Sequence, residues 1–138
     1  MKKLFVDTNI VIDLLSRREP FYEEAALLFS LADKKQIELS VSSLTIANTS
    51  YALLRRMDSS KAKLIVRKLR LIIKILPLDD KIIGLALNDT TFLDFEDGLQ
   101  YFTALENGQE VIVTRNLKDF KYSQIPAMTA KQFLQTME

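Results

Sequence analysis

Short runs of consecutive apolar residues alternate along this chain with longer segments in which apolar residues recur every three or four positions. The runs read as buried strands and the spaced segments as amphipathic helices. Leu4-Phe5-Val6 is a first strand, followed by a short helix from Ile10 to Leu15. The next helix spans Glu23 to Lys35, with Ala26, Leu27 and Leu31 on its apolar face. Ile37 to Val41 alternates apolar and polar residues as a second strand. Ser42 and Ser43 are N-cap candidates for a helix from Leu44 to Arg56. Asp58-Ser59-Ser60 caps a long helix running through Lys74, with Ala62, Ile65, Val66, Leu69, Ile72 and Ile73 facing inward.

Ile75-Leu76-Pro77-Leu78 is a third strand, and Asp79-Asp80 opens a helix to about Asn88. An apolar helix follows the acidic stretch Asp94-Phe95-Glu96-Asp97 and ends at Asn107-Gly108, a helix-stopping pair. Val111-Ile112-Val113 is the fourth strand, and Ile125-Pro126 reads as an edge strand. Thr129 with Gln132 forms a capping box for the last helix. Strands alternating with helices predict an α/β fold, a small mainly parallel sheet covered on both sides. With no linker or repeat in 138 residues, one domain over 1–138 is expected.

The strand ends carry the candidate chemistry. Asp7, Thr8 and Asn9 follow the first strand, and Thr114, Asn116 and Asp119 follow the fourth. Ligands of open α/β sheets bind at the carboxyl ends of strands. Taken alone, Asp7 is a good N-cap, and Asp94 and Asp97 suit the start of a helix through its dipole. The recurrence of acids at equivalent places singles them out. Asp97 also lines up with Tyr101 and Ala104 on a helix too apolar to lie on the surface. Asn48 falls at helical spacing with Leu44, Ala47, Tyr51 and Leu54, which turns its amide toward the core or a cleft in it.

Composition narrows the chemistry. There is no cysteine and no histidine, which excludes thiolate chemistry, imidazole bases and histidine-bearing zinc sites. Carboxylates and amides remain, ligands suited to a hard ion such as Mg²⁺ or Mn²⁺. No run approaches the ~20 apolar residues of a membrane span, and Lys2-Lys3 leads straight into a strand with no secretory signal. Together with the missing cysteines, this gives a cytoplasmic expectation. Nineteen basic residues nearly balance eighteen acidic ones, but Arg55 to Lys74 holds eight bases against one acid. Such a stripe is a solvated face, or one that contacts a phosphate backbone or an acidic partner. Arg17, Arg18, Arg55, Lys63 and Arg67 are the phosphate-contact candidates on that second reading.

Phe5-Val6-Asp7-Thr8-Asn9, Ser43-Leu44-Thr45 to Asn48, Asp94-Phe95-Glu96-Asp97 and Thr114-Arg115-Asn116 to Asp119-Phe120 together resemble PIN-domain signatures, in that family's order. The resemblance covers Leu4 to about Leu134 and extends to stand-alone toxin ribonucleases of the VapC type. It implies a three-layer α/β/α fold and an endoribonuclease dependent on Mg²⁺ or Mn²⁺. It also implies a cognate antitoxin and a homodimer as partners. The family's catalytic acids fall on Asp7 and Asp97, with Asp94 and Asp119 as further metal ligands. Thr8, Asn9, Asn48, Glu96, Thr114 and Asn116 would line the site. Two positions depart from the pattern: many relatives have glutamate where this chain has Asn48, and aspartate where it has Asn116. They leave a second reading open, a PIN-like module that binds RNA or a protein without hydrolysis.

Overall fold

The computed structural model describes residues 1–138. Five strands form one sheet: β1 (Lys2–Val6), β2 (Ile37–Ser42), β3 (Lys74–Leu76), β4 (Val111–Val113) and β5 (Ala127–Met128). Their spatial order is β3-β2-β1-β4-β5, with every neighbouring pair parallel. Seven helices connect and cover them: α1 (Thr8–Leu15), α2 (Tyr22–Asp33), α3 (Ser43–Leu54), α4 (Ser59–Leu69), α5 (Asp80–Asn88), α6 (Phe95–Glu106) and α7 (Ala130–Thr136). A 3-10 turn (Leu117–Phe120) follows β4.

Alternation along the strands divides the core into two layers, because successive side chains leave opposite faces of a strand. Leu4 and Val6 of β1, Leu39 and Val41 of β2, and Val111 and Val113 of β4 pack against α1, α2 and α7. Phe5 and Ile112 leave the other face and meet Tyr101 and Ala104 of α6, with Phe92 and Phe120. This is the α/β/α sandwich expected from the alternating pattern. Smaller apolar clusters join α3 to α4 and α5 to α6.

Several local expectations shift. The inward face of α2 is Ala25, Leu28, Phe29 and Ala32, and Leu27 is exposed. Its apolar residues are too evenly spread for periodicity alone to set the rotation. On α3 the buried positions are Thr45, Thr49 and Leu53, while Tyr51 and Leu54 are exposed. On that inner face Thr45 meets the Thr8 and Ser42 hydroxyls and the Gln100 amide, while the buried Thr49 hydroxyl has no partner. Helix α4 ends at Leu69 rather than Lys74, since the chain must turn for Ile75 to pair with Val41 at the sheet edge. The edge strand is Ala127–Met128, not Ile125–Pro126: Pro126 lends its carbonyl to the Ile112 amide but has no N–H to give.

Candidate active site

The strand order reverses direction between β1 and β4, so a crevice opens at their carboxyl ends. Asp7 stands at the end of β1 and caps α1, with its own amide bonded to the Val113 carbonyl of β4 at 2.9 Å. Its side chain is only 8% exposed. Oδ1 accepts from the Thr8 amide at 2.9 Å and Oδ2 from the Thr114 hydroxyl at 2.9 Å. The carboxylate reaches the first amide of α1 rather than the second or third, where an N-cap side chain normally bonds. Burial pushes its pKa up, the Thr114, Thr8 and Gln100 contacts pull it back, and the charge of Asp119 adds to the rise.

Asp7 shares a cleft with Thr8, Asn9, Leu44, Asn48, Glu96, Asp97, Gln100 and Asn116. Asp97 enters from the first turn of α6, half-buried. Its pKa rises to about 7, driven first by burial and then by the charges of Asp94, Asp119, Asp7 and Glu96. No lysine or arginine pairs with any of these five acids; the ion pairs lie elsewhere. Negative charge thus accumulates around the buried Asp7 and half-buried Asp97 with no ion-paired cation.

A web of neutral groups lies beneath. Gln100 donates to Thr45 at 2.9 Å and Thr8 at 3.2 Å, and accepts from Ser42 at 2.5 Å. The Thr8 and Thr45 hydroxyls meet at 2.8 Å. Ser42 also accepts from the Thr45 amide, which makes it the N-cap of α3. The ends of β1 and β2 and the middle of α6 are therefore locked together under the cleft. Sequence reasoning missed Gln100 and the role of Thr45. The available signal was a glutamine three residues after Asp97, on the same face of an apolar helix.

The remaining predicted residues fall in distinct places. Asp94 is the N-cap of α6 and accepts from the Asp97 amide at 3.0 Å. Asp94 and Asp119 line an adjoining cleft that shares Asp97 with the first. No group of three or more carboxylates is gathered tightly enough to hold a metal by itself. Thr114 lies fully buried behind Asp7, and Asn48 lines the cleft from the half-exposed edge of α3 rather than from a buried stripe.

The arginines behave differently from a free basic surface. Arg18 bonds the fully buried Asp13 at 2.9 Å and reaches the Asn9 carbonyl at 3.3 Å. Arg115 takes the other side of Asp13 at 2.8 Å and stacks on Phe21, 3.9 Å from the ring centroid. Arg17 lies 5.8 Å from the Tyr22 ring centroid. Arg55, Lys63 and Arg67 are exposed at the end of α3 and along α4, and none of them lines either acidic cleft.

Sheet order, layers and a polar crevice at the switch point define an α/β protein with an acidic site at its strand ends. The chain belongs to the PIN-domain family, whose model matches residues 3–118. Over 138 residues it is 30% identical to "Ribonuclease VapC1" of Aquifex aeolicus, covering 96% of this chain and 93% of that protein. Among solved structures, it resembles a toxin–antitoxin complex from Klebsiella pneumoniae at TM-score 0.69 and 24% identity, over 92% of this chain and 97% of that one. It also resembles the sarcin-ricin loop cleaving toxin VapC20 of Mycobacterium tuberculosis, at TM-score 0.67 and 18% identity, over 88% and 95% of the two chains.

Proposed function

We propose that this chain is a divalent-metal-dependent endoribonuclease acting as the toxin of a type II toxin–antitoxin pair. The observation that carries the reading is that Asp7 and Asp97 share one switch-point cleft, beside three further acids, with no cation ion-paired to any of the five. The similarity to "Ribonuclease VapC1" supports the substrate class.

The donor set fits Mg²⁺ or Mn²⁺. Mg²⁺ is commonly held by one or two carboxylates, with waters and substrate phosphate completing its octahedron. Asp7 and Asp97 supply the carboxylates, and Asn48 and Asn116 line the same cleft with neutral amides, while the Asn9 side-chain oxygen accepts from Arg18 at 3.4 Å. When bound, such an ion lowers the pKa of water and offsets charge on the phosphate.

The protein's own part is positional. Thr8 and Thr114 each occupy one oxygen of Asp7 and fix the plane of its carboxylate. The Gln100 web holds the Thr8 hydroxyl in place. Asp97 carries a charge that its surroundings oppose, so a cation in the cleft relieves that penalty. A cytoplasmic protein working as a homodimer, neutralised by a cognate antitoxin that covers this cleft, completes the proposal. No helix is long and apolar enough to cross a membrane.

The two amides favour one competing reading, a module that binds RNA or protein without hydrolysis. Calorimetric titration with Mn²⁺, run beside cleavage of single-stranded RNA, separates the two. The wild type is expected to bind metal and cleave, and Asp7→Ala with Asp97→Ala to do neither. A folded wild type that binds no millimolar Mn²⁺ and cuts no RNA overturns the nuclease.

A further inference from the structure

The cleft that adjoins the first through Asp97 is built from two walls. One is the segment Thr91, Phe92, Leu93 and Asp94 ahead of α6; the other is Lys118, Asp119, Lys121 and Tyr122 on and after the 3-10 turn. Its volume is about 350 Å³, within the range of small-ligand sites.

Both walls are held in shape from below. Asp89 accepts from the Phe92 amide at 2.7 Å and the Thr91 amide at 3.0 Å, which fixes the first wall. Phe92 is buried and stacks on Tyr101, with ring centroids 4.5 Å apart. Phe120 packs 6.1 Å from Phe92 and anchors the second wall in the same cluster. The cleft is therefore preformed.

It presents two lysines among three carboxylates, beside exposed aromatic and apolar side chains. Lys118 and Lys121 pair with no carboxylate, although Asp94, Asp97 and Asp119 line the same cleft. The Lys121 ammonium instead sits 5.0 Å from the Tyr122 ring centroid. The Tyr122 side is 62% exposed, and Leu93 on the opposite wall is 97% exposed. Unpaired lysines beside exposed aromatic and apolar faces match single-stranded nucleic acid, whose phosphates seek cations and whose bases stack on any π-face. Arg55, Lys63 and Arg67 line no part of this cleft.

We propose that this cleft is a single-stranded RNA subsite, with Lys118 and Lys121 contacting phosphate and Tyr122 and Leu93 receiving the base that flanks the scissile phosphodiester. This rests on the nuclease reading and extends it: Asp97 belongs to both clefts, which places the second directly beside a strand bound in the first. The subsite favours unpaired RNA, because a base within a duplex has no face to offer.

The test uses the full chain and its Lys118→Ala, Lys121→Ala and Tyr122→Ala variants, singly and combined. All three side chains are exposed, so circular dichroism and Tm are expected to match the wild type. Steady-state cleavage of a single-stranded oligoribonucleotide gives KM and kcat. Fluorescence anisotropy of the same oligonucleotide on an Asp7→Asn background gives Kd. Loss of the Tyr122 ring is expected to raise KM and Kd about fivefold or more. Loss of both lysines is expected to flatten the dependence of log Kd on log salt by about 1.4. The effect falls on KM rather than kcat.

A triple variant with wild-type KM, Kd and salt slope overturns the subsite and leaves the nuclease standing. A wild type that binds RNA without cutting it, with binding lost in the triple variant, supports the subsite and removes the nuclease. A wild type that neither binds nor cuts RNA overturns both. Unchanged RNA kinetics with a weakened hold on a copurifying protein gives the cleft to a protein partner instead, and overturns the RNA assignment.

Discussion

The Thr114 hydroxyl donates to Oδ2 of Asp7 at 2.9 Å, joining the ends of β4 and β1 across a separation of 107 residues. This bond spans the point where strand order reverses, and it is fully buried on the threonine side. Replacing Thr114 by valine keeps the shape and removes the donor. The expected result is a loss of about 1.5–3 kcal/mol in urea unfolding, the range for a hydrogen bond to a charged group. Metal affinity should fall about 10–100-fold by calorimetry, as for other groups that orient a ligand.

Gln100 tests the web beneath the cleft. Gln100→Leu leaves the Ser42, Thr45 and Thr8 hydroxyls to repair their bonds without the amide that joins them. Equilibrium denaturation should show a loss of about 1–3 kcal/mol, the cost of buried polar groups left unpaired. Gln100→Glu should be worse at neutral pH, since it adds a buried charge near Asp7.

Asp97 and Asp7 make the metal-free protein sensitive to pH in a fixed direction. Both pKa values are raised in the folded state, Asp97 to about 7 from an ordinary 3.8. The folded protein holds these protons more tightly than the unfolded chain. Their contribution to stability is thus fully present below about pH 4 and is lost as pH rises toward 7. In chelator, Tm should fall more steeply between pH 4 and 7 for the wild type than for Asp97→Asn. Saturating Mn²⁺ should reduce that fall, because it binds the ionised folded form. Parallel curves for the two proteins would refute the assignment.

Asp13 is the buried anchor of two arginines, at 2.9 Å and 2.8 Å. Arg18 also holds the Asn9 carbonyl, and Arg115 sits between Thr114 and Asn116, so the anchor braces both sides of the cleft from behind. Asp13→Ala should cost about 3 kcal/mol, the low end for breaking a buried pair, because both arginines retain some contact with water. Thermal unfolding measures this directly.

Asn116 offers a gain-of-charge test. Asn116→Asp adds a carboxylate to a cleft that already lacks a counter-ion. Mn²⁺ should bind at least about tenfold more tightly, since ligand charge tunes affinity. The same variant should be less stable than the wild type without metal. Both changes together are the signature of a charge added at the site, and unfolding with and without Mn²⁺ reads them in one experiment.

The sequence by itself determined most of the elements and where the acids fall on them. Strands, caps and most helix boundaries rest on interactions within a few residues, so Asp7 at a strand end and Asp97 in the first turn of α6 are legible locally. Helix rotation was less legible on α3, where the buried face is Thr45, Thr49 and Leu53, because threonine carries no strong apolar signal. The tertiary structure alone decided which ends meet. Strand order places β4 beside β1, and only then does Thr114 reach Asp7 and Gln100 reach Thr8 and Thr45. It also divides the acids between two clefts and ties Arg18 and Arg115 to Asp13, leaving Lys118 and Lys121 as the free cations beside the site. Apart from Arg18 and Asp13, those relationships join residues tens of positions apart, and periodicity in the chain carries no record of them.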